Sequence, residues 1–201
     1  MVDGGSADAT AELARPLCDQ LLESPPGRAL QMNRGAAAAG GDYLFFLHAD
    51  TVPGISWQQL QQILGAAPAW GFAPVRLSGR QPLLRLVERS MNLRSRLTRV
   101  ATGDLMQFVR RDVFVNSGGY NHIPLMEDVE FSTRLRRLGP PLVLPVPVTS
   151  SSRRWEQGGI LRTIVRMWGL RLAWFAGVSP HRLYRHYYGA GPACDRADAP
   201  R

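Results

Sequence analysis

The residues best placed to do chemistry stand between positions 42 and 54, where the apolar run Tyr43 to Leu47 leads into His48, Ala49 and Asp50. Gly40-Gly41 and Pro53-Gly54 bound the run, and a short apolar segment so bounded fits a strand buried on both faces of a parallel sheet. Ligands of open α/β sheets bind outside the carboxyl ends of strands. His48 and Asp50, one residue apart, are therefore predicted to point the same way into that crevice. An imidazole and a carboxylate there could hold a divalent cation. Spacing alone also admits a plainer arrangement, with Asp50 capping the helix after Pro53 and His48 merely polar at a strand end. A second acidic feature is Glu127-Asp128. It opens a segment whose first turn carries Glu127, Asp128 and Glu130 and whose last turn carries Arg134, Arg136 and Arg137, the charge order that a helix macrodipole favours. Neighbouring positions on a helix do not face each other, so one carboxylate of the pair is predicted to point outward while the other caps or pairs.

The elements that must position these groups alternate. Ala7 to Gln20 is helical in pattern, Leu21-Leu22 begins a short strand, and Ser24-Pro25-Pro26-Gly27 breaks it. Arg28 to Ala39 is rich in good helix formers and stops at Gly40-Gly41. A polar helix over Ser56 to Leu64 precedes Trp70 to Leu77, which reads as one strand. Leu83 to Val100 is a basic amphipathic helix, Leu105 to Val109 a strand, and Glu127 to Leu138 a helix ended by Gly139-Pro140-Pro141. Leu142 to Thr149 is extended but proline-bearing, hence an edge or irregular strand. Such alternation predicts an α/β fold with a mostly parallel sheet flanked by helices. Residues 1–188 are predicted to form a single domain, with amphipathic helices over 158–188 divided near Gly177 and Pro180, and 189–201 a disordered tail.

With 201 residues, 45 % of them hydrophobic and 20 % charged, the chain is globular rather than disordered. All 24 basic residues are Arg, and the net charge is +8. That sign suits anionic partners such as sugar nucleotides or lipid head groups. The Arg are spread along the whole chain without a recognisable nucleic-acid module, so nucleic acid is not an expected partner. Cys18 and Cys194 lack metal or redox spacing, which fits a reducing cytoplasm. Arg162, Arg166 and Arg171 interrupt the most apolar stretch, residues 160–176, so it is not expected to span a bilayer.

Asp42 to Asp50 resembles the Gly-Asp-x-x-x-Phe-Leu-Asp-Ala-Asp segment of family 2 glycosyltransferases of the GT-A fold, with His48 where the first Asp of the family's Asp-x-Asp usually lies. Val2-Asp3-Gly4-Gly5-Ser6-Ala7-Asp8 is similar to its Val-Asp-Asp-Gly-Ser-x-Asp loop, Asn33-Arg34-Gly35 to its Asn-x-Gly helix, Gly118-Gly119-Tyr120 to its Gly-Gly-Phe turn, and Glu127-Asp128 to its Glu-Asp pair. Arg153-Arg154-Trp155 resembles an Arg-Trp motif of related enzymes. Within the family, the run of motifs is most similar to the subgroup called rSAM/selenodomain-associated glycosyltransferase-2-like proteins.

The resemblance implies a GT-A-like fold and transfer of a sugar from a nucleoside-diphosphate sugar by metal-assisted inverting displacement. It makes Asp3, Arg28 and Asn33 nucleotide-binding residues, Arg28 offering a phosphate its planar fork. It makes Asp50 and His48 the holders of Mg²⁺ or Mn²⁺, Asp128 the base with Glu127 beside it, and Arg153, Arg154 and Trp155 contacts to the diphosphate or acceptor. Imidazole suits Mn²⁺ better than Mg²⁺, so His48 leaves the metal open. Asp8 reads as a helix cap and Trp155 equally as a core residue. Thr102-Gly103-Asp104 resembles the family's acceptor-side segment, with Leu105 where Gln follows in close relatives. Measured against the family, the chain opens late: a first strand and helix are expected before Val2, so a misassigned start or a remnant is implied. A catalytically impaired scaffolding or membrane-surface protein is the rival reading. The acceptor is unknown, a lipid or carotenoid-like molecule being one class. In residues 160–188, Arg162, Arg166, Gly169 and Ala173 share one helical stripe while Leu161, Ile164, Val165, Trp168, Leu172 and Phe175 fill much of the rest. That surface either packs on the sheet or lies peripherally on the inner face of the cell membrane, with Arg162, Arg166, Arg182 and Arg185 near head groups and Trp168, Trp174, Tyr184 and Tyr187 at the interface.

Overall fold

Strand and helix alternate from β1 (Val2–Asp3) through α1 (Thr10–Ala14), β2 (Leu22–Glu23), α2 (Arg28–Ala38), β3 (Tyr43–Phe46), β4 (Thr51–Val52) and α3 (Trp57–Leu64) in the computed structural model, which describes residues 1–189. The order continues with β5 (Trp70–Phe72), β6 (Val75–Leu77), α4 (Pro82–Thr98), β7 (Gln107–Arg110), α5 (Arg111–Asn116), α6 (Glu127–Leu135), β8 (Leu142–Val143) and β9 (Val148–Ser150), and closes with α7 (Arg153–Gly158), α8 (Ile160–Phe175) and α9 (Pro180–Tyr188). The tail expected to be disordered lies, from residue 190 on, outside the described residues.

The α/β expectation holds, but the sheet is mixed rather than mostly parallel. β1 and β2 pair in parallel, a second sheet runs β3-β7-β5-β8, and a third runs β4-β9-β6. β7 enters between β3 and β5 antiparallel to both, and β8 joins β5 in parallel. The strand at Tyr43 is accordingly half-buried rather than enclosed on both faces: among the described residues its pairing is to β7 alone, and only Leu44 within it is buried. β7 takes the central role, with Gln107, Phe108 and Val109 buried and the Phe108 ring stacked on Phe45 at 5.2 Å. Close strand approach there depends on Gly71, where a side chain would collide with the Leu142 carbonyl and the Phe108 ring.

Two predicted strands divide for one reason. Trp70 to Leu77 is β5 and β6, and Leu142 to Thr149 is β8 and β9, each half in a different sheet. Pro74, Pro145 and Pro147 lie in the gaps and have no N–H for a ladder. The predicted strand over Leu105 to Val109 begins two residues later, because Gly103–Leu105 winds into a 3₁₀ turn before β7. Most predicted helices form with shifted ends, but that over Ala7 to Gln20 shrinks to the five residues of α1 and a 3₁₀ turn over Arg15–Leu17, where Pro16 has no N–H to continue an α-helix. Ser56 caps α3 through a reciprocal bond with Gln59, so the cap sits there and not at Asp50.

Behind the strands, Trp70, Phe72, Leu84, Leu105, Phe131 and Leu135 form the main core. An aromatic cluster of Phe46, Phe114, Tyr120 and Phe131 joins β3 to α5 and α6, the Tyr120 and Phe131 rings lying 4.4 Å apart. A buried polar knot fixes the start of α6 against this core. Gln107 Nε2 donates to the Ala101 carbonyl (2.8 Å), the Asp128 carbonyl (3.2 Å) and Ser132 Oγ (2.6 Å), while Gln107 Oε1 accepts from the Tyr120 hydroxyl at 2.8 Å. A buried amide satisfied on both ends sets the position of its partners, because any shift leaves a polar atom unpaired.

Candidate active site

Three chain segments meet at Arg28. It occupies the first turn of α2, following Gly27, and its guanidinium reaches across to the start of α6. Arg28 Nε lies 3.1 Å from Glu127 Oε1, and Nη2 lies 3.8 Å from Asp128 Oδ2. The same Nη2 is 2.8 Å from His48 Nε2. The sequence leads one carboxylate of the Glu127-Asp128 pair to face away from the other's target; instead both converge on one cation, because Arg28 sits off the end of α6 where first-turn side chains can fold over the helix start. Exposure separates their tasks. The Glu127 side chain is 1 % exposed, that of Asp128 11 %, and that of Arg28 38 %.

Charge follows this packing. Burial, reinforced by the Asp128 charge, pushes the Glu127 carboxyl up to about 7 against the pull of Arg28. Arg28 is itself partly desolvated, but Glu127, Asp128 and Asp104 outweigh that and raise it further above its ordinary value. Among the described residues Glu127 Oε1 receives no directed hydrogen bond despite the ion pair, so a lone pair there is unsatisfied. Asp128 is held more fully, Oδ2 accepting from the Gly103 amide at 2.7 Å. Gly103 is needed for this approach, since a Cβ would strike Arg28 Nη2 and stand 2.6 Å from His48 Nε2.

His48 follows β3 and opens a turn in which the Thr51 amide donates to its carbonyl. The strand ends at Phe46, so the period-two argument that paired His48 with Asp50 does not extend over them. Arginine is a permanent donor, which makes His48 Nε2 an acceptor and places the ring proton on Nδ1, 3.6 Å from Asp104 Oδ1. Asp104 is pushed up by enclosure, yet its hydrogen bond with His48 and the charges of Arg28 and Arg154 outweigh that and hold it below the usual carboxylate range. The lone pair His48 would give a metal is thus already engaged by Arg28. Asp50 is exposed, and its carboxylate makes no hydrogen bond or ion pair among the described residues. No three His, Cys, Asp or Glu side chains gather as a cation site among the described residues. The donor set therefore fits a cation only through Asp50, with most ligands supplied from outside the chain, as Mg²⁺ sites at phosphates commonly are.

The other predicted residues have local work. Asp3 accepts from the Gly5 amide (3.0 Å), the Ser6 amide (2.9 Å) and Ser6 Oγ (2.5 Å), and the Ser6 contacts chiefly hold its carboxyl below the ordinary value. It shapes the loop after β1. Asp8 accepts from Thr10 at the start of α1, as a capping residue does. Asn33 bonds the Tyr120 backbone in both directions, at 2.8 and 2.9 Å, so its amide ties α2 to the turn before α6. Trp155 packs on the core, and Arg153 is exposed with no side-chain partner among the described residues. Arg154 instead donates to the Tyr187 hydroxyl at 3.1 Å.

Three residues outside the predicted set border the cluster. Asp104 was flagged only by its segment. Arg94 on α4 senses the charges of Asp128 and Asp104, burial lowers its pKa, and its Nε is buried without a partner among the described residues. Tyr188 at the end of α9 senses Arg154, Arg28 and Glu127. No sequence pattern marks Arg94 or Tyr188, because both reach the site through tertiary packing.

The family described as Glycosyl transferase family 2 matches residues 1–121. Among solved structures, the chain is similar to the mannosyltransferase PcManGT of Pyrobaculum calidifontis in complex with GDP-Man and Mn²⁺, with a TM-score of 0.59 and 18 % identity. That likeness covers 94 % of this chain and 54 % of the other, so the chain spans about half the length of its structural relative. It establishes the GT-A-like fold. No curated protein sequence matches the chain.

Proposed function

From the premise that this chain belongs to glycosyl transferase family 2, which matches its residues 1–121, we propose that it moves a sugar from a nucleoside-diphosphate donor to an acceptor hydroxyl with inversion. The observation that carries this reading is the meeting of Arg28 with Glu127 and Asp128 beside His48 and Asp104. Asp128, the more exposed carboxylate, takes the acceptor proton. The acceptor oxygen forms its bond to the anomeric carbon as the carbon–oxygen bond to diphosphate breaks, and the diphosphate keeps the electron pair. Arg28, more exposed than either carboxylate it pairs with, turns toward that developing charge, with Arg154 beside it. Glu127 stays inside and holds Arg28. Mg²⁺ or Mn²⁺ bound at Asp50 and by phosphate oxygens would add Lewis-acid stabilisation of the leaving group. GDP-mannose and Mn²⁺ accompany the structural relative, which makes a guanosine donor the first to test. Residues 1–188 act as one domain in this reading, at the cytoplasmic side. We further assign the chain to the rSAM/selenodomain-associated subgroup on Gln31-Met32-Asn33, His48-Ala49-Asp50-Thr51 and Arg153-Arg154-Trp155-Glu156, and give its acceptor a lipid or carotenoid-like character.

The rival, a catalytically impaired scaffold, draws on one feature: Arg28 engages the His48 lone pair where the family has an Asp. Titration calorimetry with GDP and GDP-mannose, with and without Mn²⁺, on the native chain and on Asp50→Ala, separates the two. The proposal expects Mn²⁺ to strengthen nucleotide binding in the native chain and the gain to vanish in Asp50→Ala, with release of GDP from the sugar nucleotide on adding acceptor lipid extract. Metal-dependent binding that survives Asp50→Ala sinks the Asp50 assignment. Absence of any nucleotide binding or sugar release across a panel of donors leaves the scaffold.

A further inference from the structure

α8 carries a row of large apolar side chains turned to solvent: Leu161, Val165, Trp168, Leu172 and Phe175 are each between 59 % and 72 % exposed. Their spacing of four, three, four and three residues draws them into one continuous stripe along the helix. The opposite side of α8 does the packing, through Ile160, Thr163 and Leu170. Arg162 and Arg171 flank the stripe on its two sides, and α9 adds Arg182 and Arg185. No Asp or Glu occurs anywhere between residues 160 and 188.

We propose that this stripe is a docking face for an anionic lipid surface, with α8 lying in the plane of the bilayer. Apolar side chains enter the acyl boundary while the flanking guanidiniums stay among the head groups, the arrangement expected of an interfacial helix. Charge decides between occupants. A second copy would set the same Arg against each other with no acid on either face to pair them, whereas anionic lipid answers every one. The helix lies on the surface rather than crossing it: sixteen residues span ~24 Å against a hydrocarbon core of ~30 Å. No helix among the described residues is long and apolar enough to cross.

Three members of the face expected from the residues do other work. Arg166 donates to the Tyr187 carbonyl and lies over its ring at 4.3 Å, and Trp174 and Tyr187 pack in the small core under α9. These contacts join α8 to the proposed site, since the Tyr187 hydroxyl accepts from Arg154. Docking would therefore hold the cluster beside the membrane, within reach of an acceptor that lives there. The docking itself does not depend on sugar transfer.

Co-sedimentation of the full chain with vesicles tests this, using phosphatidylcholine alone and phosphatidylcholine mixed with phosphatidylglycerol. Binding is expected to the mixed vesicles, to weaken with salt, and to fall at least ~10-fold in Trp168→Glu/Leu172→Glu. Arg162→Gln should weaken it about five-fold. Both altered apolar positions are exposed, so circular dichroism and nucleotide binding in solution should be unchanged, which keeps failure of docking distinct from failure of the site. Vesicle binding that the double substitution leaves intact overturns the assignment of the face. So does a dimer in sedimentation velocity, dissolved by that substitution, without vesicle binding. A monomer that ignores every vesicle overturns it as well.

Discussion

The Arg28 cluster and the outer face of α8 depart from the usual sorting of residues in opposite directions. At the first, Glu127 is almost wholly withdrawn from water beside a second carboxylate and an arginine. At the second, five large apolar side chains stand in water on one stripe. Each departure has a cost, desolvated charge in one case and hydrated hydrocarbon in the other. The difference lies in what the fold supplies to offset it. The cluster is braced from within by Gln107, Ser132 and the Gly103 amide. None of the five stripe residues belongs to a core cluster among the described residues. A braced departure marks a place where chemistry is held in position, and an unbraced one marks a surface completed by something else.

Removing the proposed base should give the largest effect. Asp128→Asn keeps the shape and one of the two amide bonds the carboxylate accepts, from Gly103 and Val129, so sugar transfer is expected to fall ~10²–10⁴-fold with nucleotide affinity nearly unchanged. Steady-state rates beside calorimetry decide it, and an affinity loss with the rate retained would make Asp128 a binding residue. Glu127→Gln sharpens the same half of the comparison through pH. The native carboxyl is raised to about 7 from an ordinary 4.5, so its contribution to stability is fully present below the unfolded value and is lost as pH rises through the folded one. Between those limits the native chain should lose up to about 3 kcal/mol that Glu127→Gln does not lose. Urea denaturation across pH 4 to 8 reads this. Parallel pH profiles for the two proteins would mean that Glu127 is not strained by burial.

How much of this was legible in the residues depended on distance along the chain. The start of α6 was readable because its charge order is local, and His48 was readable because it closes an apolar run. What His48 meets was not: Arg28 and Asp104 arrive from other segments. Asn33 looked like a ligand because its neighbours match a family motif, while its actual partner, the Tyr120 backbone, lies 87 residues away. Gln107, the amide that anchors Asp128, carries no signal in a strand pattern. The divided strands are a different matter, because Pro74, Pro145 and Pro147 were in view and their missing donors already forbade continuous ladders.

Gly103→Ala probes the bracing directly, at a smaller scale. Its methyl would occupy the space of Arg28 Nη2 and His48 Nε2. Overpacking of this kind costs ~1–3 kcal/mol, and displacement of Arg28 should weaken nucleotide binding as well. Calorimetry on a variant shown folded by circular dichroism checks both. A variant with native stability and native nucleotide affinity would show that the close approach at Gly103 is dispensable.

The smallest effect is expected on the unbraced side. Leu172 and Leu170 are two residues apart on α8, yet Leu172 is 65 % exposed and Leu170 is 4 % exposed. Leu170 packs with Val129 beneath α6, so Leu170→Ser removes buried hydrocarbon and leaves a hydroxyl in its place, a loss of ~2–5 kcal/mol. Leu172→Ser exchanges one hydrated side chain for another and should move stability by less than about 0.5 kcal/mol. Thermal or urea unfolding of the chain alone, without lipid, measures the pair. If Leu172→Ser destabilised the chain as Leu170→Ser does, the stripe would be covered by the protein itself, and the contrast between a braced site and an open face would fail at its open end.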